Sequence, residues 1–190
     1  MSLYKEKFKT DSHRLKNWDY SNEAVYFITI VTQDRKCIFG SIVEDKMVLN
    51  ENGKIVETEL LKSIKIRKNW FFHNWVIMPN HIHLLIEIQD KENHSHDSVE
   101  THSSATKQSL STTENTISSE AKFSRKTKSI SSFVAIFKSV TTKQIGRQQK
   151  IWQANYHDHI VRNYKRFEII YNYIKTNPQR WETDSINLKF

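Results

Sequence analysis

The segment Met78-Pro79-Asn80-His81-Ile82-His83-Leu84-Leu85-Ile86-Glu87-Ile88 decides how the chain is read. Along a strand, successive side chains point to opposite faces. Ile82, Leu84, Ile86 and Ile88 then share one face, which is a core face. His81, His83, Leu85 and Glu87 share the other. Two neutral imidazoles two residues apart on a rigid strand can converge on one metal ion. The competing reading is a pair of histidines on a solvated sheet face. The chain holds two further His-x-His patterns. His94-Ser95-His96 lies in a polar stretch where nothing fixes geometry. His157-Asp158-His159 precedes the last helix and reads as structural.

Outward from this strand, residues 71–78 form a second strand across Pro79-Asn80. Residues 25–32, rich in β-branched and aromatic side chains, read as a strand buried on both faces. Residues 36–43 and 47–49, joined by Glu44-Asp45, read as a hairpin, and Asn52-Gly53 as a turn. Val56, Leu60, Leu61 and Ile64 then give an amphipathic helix over about 54–67. Phe133, Ile136, Phe137 and Val140 mark another helix, capped by Ser131 or Ser132 and ended by Gly146. Residues 151–161 are ambiguous. A last helix runs from about Asn163 to Thr176, before Pro178. The expected class is α+β: a ferredoxin-like antiparallel sheet with helices on one face.

The domain reading is a basic arm at 1–20, one domain over 21–182 and a tail at 183–190. Residues 91–128 interrupt that domain: fifteen of these 38 are Ser or Thr, a composition that predicts a disordered insertion.

The last helix carries an unusual flank. Phe167, Ile170, Tyr171 and Ile174 form its expected core stripe, with Tyr164 at the packing edge. Tyr173 lies roughly 110° away, and Asn177, Arg166 and Arg162 fall on the same side. A hydroxyl, an amide and arginines suit a site that holds and attacks a phosphate. From this helix alone, a plain solvated face is an equal reading.

The 190 residues carry 29 Lys+Arg against 21 Asp+Glu, a net charge of +8, which points to a polyanionic partner. One cysteine, Cys37, excludes an intrachain disulfide framework and multi-cysteine zinc modules. No run of 18 apolar residues predicts a membrane span, and the N-terminus does not read as a signal peptide, so a cytoplasmic protein is expected.

Four motifs in order carry a family resemblance: Tyr26-Phe-Ile-Thr-Ile30, Met78-Pro-Asn-His-Ile-His-Leu-Leu85, Trp152-Gln-Ala-Asn-Tyr-His-Asp-His-Ile-Val-Arg-Asn163 and Tyr173-Ile-Lys-Thr-Asn-Pro-Gln-Arg-Trp181. Together they resemble the REP-associated tyrosine transposases, a branch of the insertion-sequence-200-like, one-tyrosine HUH transposases. The resemblance covers most of residues 20–184, with the insertion outside it. It implies an HUH endonuclease fold and a divalent metal, Mg²⁺ or Mn²⁺. It places His81 and His83 as the HUH metal pair, Asn177 as the third metal ligand and Tyr173 as the catalytic nucleophile. The implied activity is a transposase that cleaves and rejoins single-stranded DNA at hairpins through a 5′-phosphotyrosine intermediate, near the nucleoid. Arg162, Arg166 and Arg180 are the expected DNA contacts, with Lys5, Lys7, Lys9, Arg14 and Lys16 as further candidates.

Relatives are monomers or homodimers, so Tyr173 can serve its own histidines or a partner's. Tyr164 departs from the family pattern, where Glu is common. A non-catalytic or domesticated nucleic-acid-binding regulator on the same fold is the main alternative. A relaxase would place its tyrosine differently. A zinc hydrolase would need a third strong ligand, Glu87 or a distant His.

Overall fold

In a computed structural model of the chain, residues 19–89, 128–146 and 150–187 are described. The Ser/Thr-rich segment up to residue 127, His94 and His96 within it, and the N-terminal arm through residue 18 lie outside them.

The sheet is built from β1 (Ala24–Val31), β4 (Trp70–Ile77), β5 (His81–Ile88) and β6 (His157–Val161), in the order β4-β5-β1-β6. All neighbouring pairs are antiparallel. With α1 (Glu51–Ile66) between β1 and β4, and α2 (Ile130–Ile145) between β5 and β6, this is the βαββαβ order of a ferredoxin-like fold. The expected α+β class holds. A small hairpin of β2 (Gly40–Val43) and β3 (Lys46–Leu49) stands beside the sheet. Glu44 and Asp45 both take positive φ at its two-residue turn, which matches the right-handed twist of the strands.

One face of the sheet presents Tyr26, Ile28, Ile30, Ile82, Leu84, Ile86 and Ile88 to α1 and α2, whose Val56, Leu60, Phe133, Val134 and Phe137 complete the main core. The opposite face is covered by α3 (Tyr164–Thr176). There Leu85 and Val161 pack with Ile170 and Ile174, joined by Phe27, Val76, Phe167 and Tyr173. Helices on one face therefore describes α1 and α2 alone; α3, added after the βαββαβ unit, makes a second layer. Because β1 sits mid-sheet between two layers, it is apolar on both faces, as its composition predicts.

Several local expectations are corrected. Asn52-Gly53 is not a turn but the first turn of α1, because Asn50 caps that helix by accepting from the Gly53 N–H at 3.0 Å. A Cβ at Gly53 would lie 2.2 Å from the Phe39 carbonyl oxygen, so the glycine is required by close approach. Ser129, not Ser131 or Ser132, caps α2; Gly146 ends it in the left-handed region, as expected. Leu61, Ile136 and Tyr171, core-stripe positions by helical spacing, are exposed. The buried stripe of α2 is Ile130, Phe133, Val134, Phe137 and Thr141, which leaves Ile136 on the outer side. Residues 151–161 resolve into a bridge at Trp152 and the edge strand β6.

Asn50→Ala will lower stability by about 1 kcal/mol, since it orphans the Gly53 N–H. Asn50→Asp, which keeps an acceptor, will lose less. Equal urea midpoints for Asn50→Ala and the parent would show that the cap contributes nothing.

Candidate metal and nucleophile site

The site lies between the histidine face of β5 and the flank of α3. His81 and His83 are 0% and 2% exposed, so the reading of two solvated histidines does not hold. They are buried because α3 and the segment after it cover this face. Their rings are 4.5 Å apart between centroids.

Each imidazole is oriented by a neighbour. His81 Nδ1 lies 2.8 Å from Asn80 Oδ1. The Asn80 Nδ2 donates to the carbonyls of Arg35 and Ile186, which turns its oxygen toward the ring. By this network Nδ1 carries the proton and the lone pair of His81 Nε2 faces the site. His83 Nδ1 lies 2.8 Å from Thr29 Oγ1, a cross-strand neighbour in register on β1. Its Nε2 lies 3.2 Å from the Tyr173 hydroxyl. That contact forms within one chain, so no partner is needed to bring the tyrosine to the histidines.

Asn177 is fully buried where α3 gives way to the 3₁₀ turn Pro178–Thr183. Its Nδ2 donates to Asp184 Oδ2 at 3.0 Å, and the Tyr173 hydroxyl donates to the same oxygen at 3.4 Å. His81 Nε2 and Asn177 Oδ1 are buried with no hydrogen-bond partner among the described residues. Two buried acceptors facing one space without a donor are costly unless something electropositive joins them. Ligand atoms of His81, His83 and Asp184 lie within 4.8 Å of one another. Two imidazoles with amide and carboxylate oxygens form a donor set that suits a divalent cation of intermediate to hard character.

The electrostatics agree. Burial pushes His81 down to about 4, against the opposing pull of Asp184 and Asn177. Burial, and then the neighbouring His81, hold His83 well below its ordinary value. Both rings are therefore neutral at pH 7 and present lone pairs. Burial, with Asp184 adding to it, pushes the Tyr173 phenol up to about 12, so it is held protonated.

Sequence reasoning missed Asp184, which it left in a tail beginning at 183. The segment is held in place: Arg35 donates to the Ser185 carbonyl, Asn80 reaches the Ile186 carbonyl, and the Ile186 N–H returns to Asp184 Oδ1. No motif spacing marks such a residue; only its late position after the Asn-Pro turn hints at it.

The remaining candidates lie apart. Arg162, Arg166 and Arg180 are exposed around α3 and the following turn. His157 and His159 are exposed on β6, on the histidine side of the sheet, with His157 in register with Thr29. Glu87 bonds His73 at 2.6 Å and does not join the cluster.

No family model matches the chain. It is 33% identical over 183 residues to an uncharacterized protein of Haemophilus influenzae, covering 92% of this chain and 91% of the other. The chain belongs to the same family as that protein. Its fold superposes with a TM-score of 0.56 on a REP-associated tyrosine transposase solved bound to a REP hairpin, at 17% identity, over 90% of this chain and 74% of that one. That likeness establishes the fold. Among the described residues, no helix is long and apolar enough to cross a membrane.

Proposed function

We propose that this protein is a transposase that cleaves and rejoins single-stranded DNA through a 5′-phosphotyrosine on Tyr173. The observation that carries the reading is the meeting, within one chain, of the Tyr173 hydroxyl, the His83 lone pair and two orphaned acceptors on His81 and Asn177. His81, His83 and Asn177, with Asp184 beside them, would hold a divalent cation, Mg²⁺ or Mn²⁺. Such a cation supplies charge stabilisation at the phosphoryl oxygens.

The chain's own residues account for the rest. The Tyr173 oxygen attacks the scissile phosphorus, the P–O3′ bond breaks, and the departing O3′ takes a proton from water, so that a strand with a free 3′-hydroxyl leaves. The phenolic proton departs along its hydrogen bond to Asp184 Oδ2. Because the phosphodiester energy is kept in the tyrosyl ester, a 3′-hydroxyl from another end can reverse the step without a nucleotide cofactor. Phe27 packs its ring edge-to-face on Tyr173 at 6.1 Å and also contacts His83, which fixes the phenol over the histidines. Arg162, Arg166 and Arg180, exposed along α3 and the turn after it, suit backbone phosphates. The hairpin bound in the solved neighbour makes DNA hairpins the first substrates to try. The setting would be the nucleoid, and a homodimer is not required by the site.

The test is a denaturing gel of the protein with labelled single-stranded hairpins, in Mn²⁺, Mg²⁺ or EDTA. A covalent protein–DNA band that needs the cation is expected. Tight binding on a native gel with no covalent band under any cation would leave a DNA-binding regulator on this fold.

A further inference from the structure

The outer side of α3 carries a row of rings that the reaction does not use. Tyr164, at the start of the helix, is 74% exposed, and Tyr171, seven residues later, is 37% exposed. Phe167 lies between them. Its ring is 6.4 Å from Tyr164 with 11° between planes, and 6.2 Å from Tyr171 with 22° between planes. The row continues onto the edge strand β4. The His73 ring meets Phe167 edge-on at 5.0 Å, and Phe71, half-exposed, stacks on His73 at 6.5 Å. Five rings thus run without a break across a helix and a sheet edge. A monomer gains nothing by leaving Tyr164, Tyr171 and Phe71 in water.

The surrounding charge selects the occupant. On α3, exposed Lys175 falls on the same side as the rings and exposed Lys165 on its flank, with Glu168 as the single exposed acid of that helix; exposed Arg162 and Arg166 lie on the far flank, beside Tyr173, where a strand leaving the row would reach the site. The other carboxylate beneath the row, Glu87, is engaged by His73 and Gln89. Aromatic rings interleaved with cations are how sequence-tolerant single-strand sites work: the rings stack bases while the cations follow phosphates. The row is also continuous with the site, since Phe167 packs in the same small core as Tyr173.

We propose that Tyr164, Phe167 and Tyr171, extended by His73 and Phe71, form a stacking platform for unpaired bases of a single DNA strand flanking the cleavage point. This rests on single-stranded DNA being the partner and is independent of the chemistry at Tyr173. Its role is to hold the flanking strand along α3 and so set how it enters the site.

The test is fluorescence anisotropy with a labelled oligothymidylate of about 20 nucleotides, in EDTA, so that no covalent step intervenes. Tyr164→Ala/Tyr171→Ala will weaken binding by at least about fivefold to a hundredfold, the range for one stacked base, and by more where each ring holds its own base. The slope of affinity against salt will stay the same, because no phosphate contact is removed. Tyr164→Trp/Tyr171→Trp will keep the parent affinity. Each variant will melt cooperatively well above the assay temperature, so a loss of affinity is not a loss of fold, although Tyr171, 37% exposed, gives up packing on Phe167. Unchanged affinity in the alanine variant would overturn the platform. So would an unchanged affinity accompanied by dissociation of a dimer, which would make the row an interface between copies. Stacking loss with no covalent product from the parent would reject the catalytic reading alone; covalent product with unaltered affinity would reject the platform alone.

Discussion

Tyr173→Phe will remove the covalent protein–DNA species, by a factor on the order of 10³ or more, while DNA affinity stays within about twofold of the parent. The substitution deletes one oxygen. The ring remains held by Phe27 and His83, whose centroids lie 6.1 and 5.2 Å away. Asp184 keeps its bond from Asn177. The stability change is therefore within about 1 kcal/mol, the net worth of an ordinary hydrogen bond. Loss of product in a folded, DNA-binding protein then reports chemistry and nothing else. A covalent band of undiminished intensity would move the nucleophile elsewhere. Tyr171 and Tyr164 are the next tyrosines on the helix, but both are exposed on its other side.

The second large effect is on stability against acid, measured in EDTA. His81 is held at about 4 by burial, against about 6.5 in an unfolded chain. Between those values the unfolded chain binds a proton that the folded one refuses, so stability rises with pH across that window. It is fully present above about 6.5 and drains away as pH falls toward 4. For His81 alone the loss is on the order of 3 kcal/mol. His83, also held down by burial, adds in the same direction. Urea midpoints will fall steeply from pH 7 to pH 4.5. His81→Gln, with nothing to protonate, will fall less. Identical profiles for parent and variant would show that His81 is not held neutral in the folded protein.

What the sequence disclosed follows from where periodicity is strict. The strand His81–Ile88 was readable to the residue because its alternation is unbroken and its turn is marked by Pro79-Asn80. The meeting of Tyr173, Asn177 and the two histidines needed only a strand face, a helix flank and the family resemblance. Asp184 needed more: it arrives through tertiary bonds from Arg35 and Asn80, which no local pattern encodes. Leu61, Ile136 and Tyr171 depart from their helical-wheel positions for a related reason. A helical wheel gives the direction of an apolar stripe but not which of its flanks a neighbouring element will cover. The cap at Asn50 shows the same limit at a turn signal. Asn-Gly reads as a hairpin turn unless a capping side chain three residues earlier claims the glycine N–H.

The place of β1 in the middle of the sheet has a consequence for biogenesis. Its partners are residues 81–88 on one side and 157–161 on the other. During synthesis the first flank of β1 can be zipped long before the second exists. Until residue 161 has been made, β1 is a raw edge, with unpaired N–H and C=O groups along an apolar strand and no α3 above it. Such an edge is a template for pairing with another chain. The nascent protein is therefore most prone to aggregate during that interval, and chains broken off before β6 should accumulate as insoluble material or as chaperone clients.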